Sequence, residues 1–435
     1  MNYQQTVQYL YDSAPLFQQK GAGAYKPGLD TTLALDKHLG HPHRFYPTIH
    51  VGGTNGKGSC CHTIAAMLQA AGFRVGLYTS PHLVDFRERI RINGKMMPKQ
   101  YVVDFVEEHR SFFEPLHPSF FELTTALAMQ YFSSEGVDIA VIEVGLGGRI
   151  DCTNIITPLL SVVTNISLDH TALLGDTLEA IAREKAGIFK AGIPALVGET
   201  DAHTRPIFEE IAKHVGAPLF FAEDTPEIIK AEVGKDGLMH YETHHYGKLQ
   251  GALTGLPQAR NAETILHAVQ LLNNISPAGV LTLENVRQGF LHVCDWTGLM
   301  GRWQRIEECP DLILDTGHNA GGWAYLSQQL NTLAERTDAH LHCVLGFAGD
   351  KDVDAILPLL PAKATYYLAR ASVDRAMPSD VLATHFQQRT LDIKTFPNVA
   401  DALSAARNAA CPADTIFVGG STFVVADALA SINRE

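Results

Sequence analysis

A glycine-rich loop, Gly53-Thr54-Asn55-Gly56-Lys57-Gly58-Ser59, lies between an apolar run and a helical pattern. Its glycines allow backbone N–H groups to close around phosphate oxygens, because no Cβ obstructs the approach. Lys57 adds a positive charge, and the first turn of the following helix favours an anion. The glycine-rich loop, residues 53–59, therefore predicts a site for a nucleotide triphosphate.

The glycine-rich loop departs from the general P-loop pattern at two positions. Val51 stands where that pattern has a glycine, and Gly58 separates Lys57 from Ser59. The flanking pattern supports the prediction: residues 45–51 and 74–79 are typical of strands, and residues 59–71 of a helix. Together they predict a compact βαβ unit, which an ordinary glycine turn does not require.

Composition narrows the class of protein. The chain has 435 residues, a net charge of −13 and 46% hydrophobic residues, which fits a globular protein of two domains. The acidic balance argues against a general nucleic-acid or anionic-membrane binder. The seven cysteines include no C-x-x-C pair, the N-terminus lacks a signal-peptide pattern, and no apolar run is long enough to cross a bilayer. We therefore expect a cytoplasmic protein without nucleic-acid or membrane partners.

Two blocks of alternating strand and helix patterns divide the chain. The first, residues 1–296, predicts a mostly parallel sheet with a small antiparallel insertion near residues 237–253. The second block, residues 303–435, has strand patterns at 312–315, 342–346, 365–368 and 415–418. The expected class is α/β, with an N-terminal P-loop-type ATP-binding domain and a smaller Rossmann-like C-terminal domain.

Polar residues follow several predicted strands, where open α/β sheets place their ligands. Ser80 follows the strand after the loop helix, Glu143 ends the next core strand, and His170 follows the strand near residues 160–165. A carboxylate at the end of a buried strand is costly unless a cation or hydrogen bonds compensate it. Each residue alone is more typical of a cap or a loop. Their arrangement after a phosphate loop favours Mg²⁺ shared between the protein and phosphates.

Four motifs carry a more specific signal: the glycine-rich loop, Ser-Pro-His-Leu at 80–83, Glu-Val-Gly-Leu-Gly-Gly-Arg at 143–149 and Glu-Lys-Ala-Gly-Ile at 184–188. In this order they resemble the folylpolyglutamate synthase/dihydrofolate synthase family of the Mur ligase superfamily. The resemblance covers nearly the whole chain. It implies an ATP-, Mg²⁺- and pteroate-binding domain at 1–296 and a glutamate-ligase domain at 303–435.

The resemblance implies roles for individual residues. The expected ATP contacts are Asn55, Gly56, Lys57, Gly58, Ser59, Asn261, Arg302 and Asp315. The expected Mg²⁺ ligands are Ser80, Glu143 and His170. Lys185 matches the lysine that the family carries as a carbamate made from CO₂, which would place an anion beside the metal. Lys57, Lys185 and His318 are the expected catalytic residues.

The carboxylate substrate and the incoming amino acid also have expected positions. Dihydropteroate or a reduced folate is expected near His82, Phe121, Glu122, Leu123, Thr124, Arg149 and Asp151, and L-glutamate near Ser421. The chain departs from the family at 298–302, where Gly-Leu-Met-Gly-Arg replaces Trp-Pro-Gly-Arg. Ala320 stands where a proline is common, and the Gly-Gly-Ser containing Ser421 is a loose match.

The implied reaction is amide formation through an acyl phosphate. The substrate carboxylate attacks the γ-phosphorus of ATP, and the amine of L-glutamate then displaces phosphate from the acyl carbon. We expect a monomeric enzyme with both dihydrofolate synthase and folylpolyglutamate synthase activity. Two alternatives stay open, a Mur-type cell-wall amino-acid ligase and a nucleotide-switch NTPase. The chain lacks the Asn-Lys-x-Asp motif of guanine-reading switches.

Overall fold

The computed structural model describes residues 1–13, 28–275, 281–387, 389 and 391–432. It divides into two compact units. Unit 1 consists of Met1–Ala252 with Gln258–Leu299, and unit 2 consists of Leu253–Pro257 with Met300–Glu435. In the described ranges, every helix is too short or too polar to traverse a bilayer.

The short segment Leu253–Pro257 distinguishes these units from the predicted domains, 1–296 and 303–435. The backbone N–H of Leu256 donates to Gln329 Oε1 at 3.0 Å, and Gln329 Nε2 donates to the carbonyl of Thr254 at 3.4 Å. Leu256 and Gln329 are 73 residues apart in the chain. Local composition cannot reveal a contact between positions so distant.

Unit 1 is built on one large, mostly parallel sheet, as the sequence predicts. Its strands are β1 (Thr48–Gly52), β2 (Val75–Tyr78), β3 (Ile90–Ile92), β4 (Lys95–Met96), β5 (Ile139–Glu143), β6 (Leu160–Val163), β7 (Ala195–Val197) and β8 (Leu219–Phe221). They are ordered β4-β3-β2-β5-β1-β6-β7-β8, and only β3 and β4 run antiparallel to their neighbours. Because Val51 of β1 pairs with both Glu143 and Val162, the glycine-rich loop leaves the sheet between the ends of β5 and β6.

Helices cover both faces of this sheet. The helices of unit 1 are α1 (Tyr3–Ser13), α2 (Asp30–His38), α3 (Lys57–Ala70), α4 (Lys99–Phe113), α5 (Phe120–Ser134), α6 (Thr171–Leu174), α7 (Leu178–Ala186), α8 (Arg205–Val215), α9 (Gln258–Ile275), α10 (Leu283–Leu291) and α11 (Val293–Thr297). Val141 packs in a core with α3, α9 and α10, whereas its neighbours Ala140 and Ile142 pack with α4 and α5. This alternation explains why β5 is apolar along its length until Glu143.

The predicted antiparallel insertion is confirmed. Its strands are β9 (Ile228–Val233), β10 (Met239–Thr243) and β11 (Lys248–Gly251). They form a three-stranded sheet in which β10 pairs antiparallel with both neighbours. Met239, Tyr241 and Leu249 turn their side chains into the core that includes α9 and α10, so one face of this sheet is buried.

Unit 2 is a second α/β layer structure, as the sequence predicts. Its strands are β12 (Gln304–Glu308), β13 (Asp311–Leu314), β14 (Leu341–Leu345), β15 (Thr365–Ala369), β16 (Asp392–Phe396) and β17 (Thr415–Gly419). Its helices are α12 (Ala320–Ala334), α13 (Val353–Ile356), α14 (Ser379–Phe386), α15 (Val399–Ala409) and α16 (Thr422–Ile432). The sheet order is β12-β13-β17-β14-β15-β16, with β12 antiparallel to β13.

Candidate active site

The glycine-rich loop connects β1 to α3, and two of its glycines are required by close contacts. Gly56 has a φ of +83°, and a Cβ there would lie 2.2 Å from Asn261 Oδ1. A Cβ at Gly53 would lie 1.9 Å from Thr164 Oγ1. Neither position accepts a larger residue without displacement of these partners. The N-terminal part of α9, which carries Asn261, therefore lies directly against the loop.

Residues after β6 hold the loop in place. The backbone N–H of Asn55 donates to Asn165 Oδ1 at 3.0 Å, and the N–H of Thr54 donates to the Asn165 carbonyl at 2.9 Å. Thr164 Oγ1 donates to the Asn55 carbonyl. The amide group of Asn165 also donates to Glu199 Oε1 at 3.2 Å. Loop, β6 and the segment after β7 are thus joined through one asparagine.

Two lysines converge on one carbonyl of the loop. Lys57 Nζ donates to the carbonyl oxygens of Gly53 at 3.0 Å and Thr54 at 2.9 Å. Lys185 Nζ, from α7, donates to the same Gly53 oxygen at 2.8 Å. Burial lowers the pKa of Lys185 to about 7, with a further contribution from the charge of Lys57. Two amino groups within reach of one carbonyl suit a ligand that carries several negative charges.

Two of the expected metal ligands, Ser80 and Glu143, lie at the ends of the neighbouring strands β2 and β5, and the third, His170, lies in the segment between β6 and α6. The backbone N–H of Ser80 donates to Glu143 Oε2 at 2.9 Å, and Glu143 is buried at the end of β5. His170 precedes α6 with a φ of +51°, and its N–H donates to Asp169 Oδ1 at 2.8 Å. The negative charge of Asp169 opposes, but does not outweigh, the lowering of the Lys185 pKa by burial and Lys57.

The donor set fits a hard divalent cation that also binds phosphate. A carboxylate, a hydroxyl and an imidazole come from Glu143, Ser80 and His170. The described residues contain no group of three His, Cys, Asp or Glu side chains arranged to hold a metal. Mg²⁺ characteristically uses one or two protein carboxylates and takes its remaining ligands from phosphates and water. These residues therefore suit a metal that arrives with the nucleotide.

The predicted pteroate segment at the start of α5 divides into one accessible and three structural side chains. Glu122 accepts the Ser119 N–H at 2.7 Å in a capping box, Leu123 is buried in the core, and Thr124 Oγ1 donates to the Phe120 carbonyl at 2.6 Å. Phe121 is partly exposed, and a Cβ at Gly145 would lie 2.3 Å from its ring. Phe121 is thus the side chain of this segment that borders the 143–149 motif.

Arg149 and Asp151 differ in their surroundings. Arg149 is 62% exposed, and its Nη2 donates to Glu184 Oε1 at 2.6 Å beside Lys185. Asp151 is buried, which raises the pKa of its carboxyl. Its two oxygens accept the N–H groups of Leu146 at 2.7 Å and Thr153 at 3.0 Å. Asp151 therefore shapes the loop that follows β5.

Two predicted residues of unit 2, Asp315 and His318, lie in the turn after β13, here called the Asp315 turn (residues 315–318), and a third, Arg302, contacts this turn. Asp315 accepts the N–H groups of Trp303 and Gly317, each at 2.7 Å, and burial raises its pKa. Arg302 Nη1 donates to the hydroxyl of Thr316. His318 Nδ1 lies 3.1 Å from the Thr316 carbonyl, so this nitrogen carries the proton.

Ser421 lies after β17 rather than in this turn. Its Oγ accepts the N–H of Val424 at 3.2 Å, and its side chain is buried. The hydroxyl therefore satisfies one of the donors that the first turn of α16 leaves without an intrahelical partner. The structure gives Ser421 a local structural role at the helix start.

Comparison with known families assigns both units. Residues 51–269 match the Mur ligase middle domain, and residues 301–422 match the glutamate ligase domain of Mur ligases. The dihydrofolate synthase/folylpolyglutamate synthase of Escherichia coli is 33% identical over 88% of this chain and 86% of that protein. This chain belongs to the folylpolyglutamate synthase/dihydrofolate synthase family.

Solved structures of the family have the same fold. Escherichia coli FolC in complex with DHPP and ADP superposes with a TM-score of 0.82 at 31% identity, covering 100% of this chain and 98% of that one. A bifunctional folylpolyglutamate synthase/dihydrofolate synthase with Mn, AMPPNP and L-glutamate bound gives a TM-score of 0.81 at 30% identity, with the same coverage. The predicted fold class and family are confirmed.

Some relatives are longer than this chain. The bifunctional folylpolyglutamate synthase/dihydropteroate synthase of Haloferax volcanii is 35% identical over the whole chain but only 51% of its own length is covered. The chain thus spans about half the length of the first curated relatives it matches.

Sequence reasoning missed the residues that hold the glycine-rich loop. Thr164 and Asn165 stand at the end of the strand predicted near residues 160–165, and in the structure they directly follow β6, which neighbours β1. Polar residues at the carboxyl end of a strand beside the loop strand were the available signal. Gln258 was missed as well: its Oε1 accepts from Asn261 Nδ2 at 2.9 Å.

Proposed function

We propose that this chain joins L-glutamate to dihydropteroate and to tetrahydrofolate in a reaction driven by ATP. The observation that carries the proposal is the convergence of Lys57 and Lys185 on the Gly53 carbonyl, within a loop flanked by the strand that ends in Glu143. The names of the relatives support dihydrofolate synthase and folylpolyglutamate synthase activity in one chain.

The residues around the loop account for the first chemical step. Backbone N–H groups of residues 53–59 and Lys57 would bind the ATP phosphates, with Asn261 beside Gly56 orienting the nucleotide. The substrate carboxylate attacks the γ-phosphorus, and the bond between this phosphorus and the β–γ bridging oxygen breaks. The products are ADP and an acyl phosphate. Positioning and neutralisation of charge supply most of the acceleration in such transfers. Mg²⁺ held by Ser80, Glu143 and His170 would stabilise negative charge on the phosphates.

Lys185 is proposed to act as a carbamate. Its amine must be neutral to form a nitrogen–carbon bond with CO₂, and one proton is released as the carbamate forms. The enclosed position of Lys185 and the charge of Lys57 both favour the neutral amine near physiological pH. The product would be an anion on the metal side of the site, replacing the present contact with the Gly53 carbonyl.

The second step uses glutamate. Its amine attacks the acyl carbon, the carbon–oxygen bond to phosphate breaks, and an amide forms. We propose that Arg302 and Asp315 bind ATP and that Ser421 contacts glutamate. His318 is proposed as a catalytic residue in the transfer of the acyl group to the glutamate amine. The Asp315 turn supports this assignment because it fixes Arg302 and His318 through Thr316. We also propose that the protein is cytoplasmic and monomeric. Light scattering of the purified chain tests its oligomeric state.

The experiment that tests the function is a coupled assay of ADP release. Wild-type enzyme, ATP and Mg²⁺ are supplied with dihydropteroate or tetrahydrofolate, each with and without L-glutamate. We expect glutamate-dependent ADP release with both substrates and a product heavier by one glutamyl residue in mass spectrometry. Hydrolysis of ATP that ignores glutamate would instead support an NTPase switch. Glutamate-independent activity on a cell-wall precursor with another amino acid would support a Mur-type wall ligase.

A further inference from the structure

A chain of hydrogen bonds links a buried arginine to the N-terminal helix. Arg89 is 2% exposed, and its Nε donates to His82 Nδ1 at 2.8 Å. The other ring nitrogen, His82 Nε2, lies 3.2 Å from the hydroxyl oxygen of Tyr11 on α1. These three residues, the Arg89–His82–Tyr11 relay, come from three separate segments of unit 1.

The direction of every hydrogen bond in this relay follows from Arg89. Its guanidinium is always protonated and has no acceptor, so His82 Nδ1 must provide a lone pair. A neutral imidazole with an unprotonated Nδ1 carries its proton on Nε2. His82 Nε2 therefore donates to the Tyr11 oxygen. The hydroxyl proton of Tyr11 then points away from His82 and is available to an acceptor elsewhere.

Packing fixes the tyrosine ring that carries this hydroxyl. The ring centroid of Tyr11 lies 5.3 Å from that of Phe120. The guanidinium carbon of Arg89 lies over the Phe120 ring, also 5.3 Å from its centroid. The Tyr11 and His82 rings are near parallel at 6.5 Å. A second tyrosine of α1, Tyr3, donates to Asp85 Oδ1 at 2.8 Å. This bond holds α1 against the segment between His82 and Arg89.

The relay contains one residue expected at the carboxylate substrate, His82, and contacts Phe120 at the start of α5, the helix that carries other expected substrate residues. Phe120 precedes Phe121, whose ring lies 5.9 Å from Tyr78 and against the Gly145 loop. His82 is two residues beyond Ser80, whose N–H binds Glu143. Aromatic rings and an oriented hydroxyl donor are the features that recognise a flat conjugated molecule with polar edge atoms.

We propose that the Tyr11 hydroxyl is a specificity-determining donor that binds an oxygen or nitrogen acceptor of the conjugated carboxylate substrate. This inference rests on the proposed function, since it names a new contact for the same substrate. Among the described residues, the Tyr11 hydroxyl has one hydrogen-bond partner, His82 Nε2, which donates to it and leaves the hydroxyl proton without an acceptor. Both nitrogens of His82 are occupied within the relay, so His82 is a positioning residue that sets the direction of the Tyr11 donor.

Tyr11→Phe tests the proposal, because it removes the hydroxyl and keeps the ring. We expect the Kd of dihydropteroate, measured by fluorescence quenching with the intact chain, to rise on the order of tenfold for one lost hydrogen bond to the substrate. The KM for ATP should not change, and the Tm should fall modestly because the N–H of His82 Nε2 loses its acceptor. Tyr9→Phe is the matched control on the same helix, because its hydroxyl donates to Glu114 at an exposed position. Tyr9→Phe should bind dihydropteroate as the wild type does.

Two substitutions at His82 test the polarity of the relay. Glutamine offers an acceptor to Arg89 and a donor to Tyr11, whereas leucine offers neither. His82→Gln should therefore retain most of the dihydropteroate affinity that His82→Leu loses. If His82 had a purely structural role, the two variants would lose the same Tm. Their affinities for dihydropteroate would then also be equal.

The outcomes separate this inference from the proposed function. Equal dihydropteroate affinity in the wild type, Tyr11→Phe and Tyr9→Phe would overturn the role of Tyr11 and leave the ligase function standing. A wild-type chain that binds neither dihydropteroate nor tetrahydrofolate would overturn the substrate class and the Tyr11 contact together.

Discussion

The glycine-rich loop of unit 1 and the Asp315 turn of unit 2 obtain their hydrogen-bond partners in different ways. At the loop, Lys185 reaches Gly53 across 132 residues of chain, and Asn165 reaches Asn55 across 110. Asp315 instead binds backbone groups only 12 and 2 residues away. The loop therefore takes its shape from the completed sheet, whereas the turn largely builds itself. Substitutions at the loop should reduce activity more than stability, and substitutions of local caps in unit 2 should do the reverse.

The largest expected effect belongs to Lys57→Ala. Turnover should fall by about 10³-fold, because a cation that offsets charge on the transferring phosphoryl group is lost. The Tm should change little, since among the residues that the structure describes Lys57 donates to carbonyls of its own loop and to no other group. The control is Lys190→Ala, which removes a lysine that donates to the Asn154 carbonyl. A parallel loss of Tm and turnover in Lys57→Ala would contradict the comparison.

Gly56→Ala tests whether the loop depends on a distant partner. The new Cβ would meet Asn261 at 2.2 Å, so nucleotide affinity should fall by about a hundredfold and the free energy of unfolding by about 2 kcal/mol. Gly72→Ala is a matched control. Gly72 has a similar φ of +89° but no atom within 4 Å of a new Cβ, so it should cost about 1 kcal/mol of backbone strain and no nucleotide affinity. Titration with a fluorescent ADP analogue and urea unfolding provide the two measurements.

The buried side chain of His50 should make the free energy of unfolding of unit 1 depend on pH. It is fully buried in β1, its Nδ1 has no hydrogen-bond partner among the described residues, and burial lowers its pKa to about 3. Because the unfolded chain takes up a proton near pH 6.5 and the folded chain does not, stability falls as the pH decreases below 6.5. The slope contributed should be about 0.7 kcal/mol per pH unit at pH 6.5 and should approach about 1.4 kcal/mol per pH unit at lower pH.

Urea unfolding at pH 7.5, 6.5 and 5.5 measures this slope. His50→Gln should flatten it between pH 6.5 and 5.5, whereas the exposed His203→Gln should not. An identical slope in the wild type and His50→Gln would assign the acid sensitivity to other groups.

The smallest expected effect is that of Ser421→Ala. Loss of an N-terminal helix cap should reduce the free energy of unfolding of unit 2 by about 1 kcal/mol, and Ser421→Asn should restore it. Trp303 and Trp323 both lie in unit 2 and report this unfolding by fluorescence. The KM for glutamate in Ser421→Asn separates the cap from the proposed substrate contact: full recovery of stability with a raised KM would support that contact.

Most of the fold was predictable because central strands of a covered sheet are apolar throughout. β1, β5, β6 and β17 have this pattern, and their predicted positions agree with the structure within a few residues. Edge strands lack it. β12 and β16 were missed, because each has exposed or half-exposed residues along its length. Their strand structure depends on a single neighbour, which a local pattern does not contain.

The candidate site was predictable where motifs place functional groups at strand ends. The structure brings Lys57 and Lys185 together at the Gly53 carbonyl and pairs the backbone of Ser80 with Glu143. The capping role of Glu122 had a signal in the sequence, because Ser119 and Glu122 have the spacing of a capping box. The local roles of Leu123 and Thr124 had no such signal to separate them from a substrate contact. The role of Asn165 was missed because its partners lie in the loop and after β7.

The segment Leu253–Pro257 makes the chain pass between its two units three times. Helix α9 begins immediately after this segment and carries Asn261, which lies against Gly56 in unit 1. Residues 253–261 therefore include parts of both units. A fragment cut once, at the Leu299–Met300 bond, would leave Gln329 without the peptide groups of Thr254 and Leu256. To exchange unit 2 between relatives, two separate coding segments would therefore have to be replaced: the one for residues 300–435 and the short one for residues 253–257.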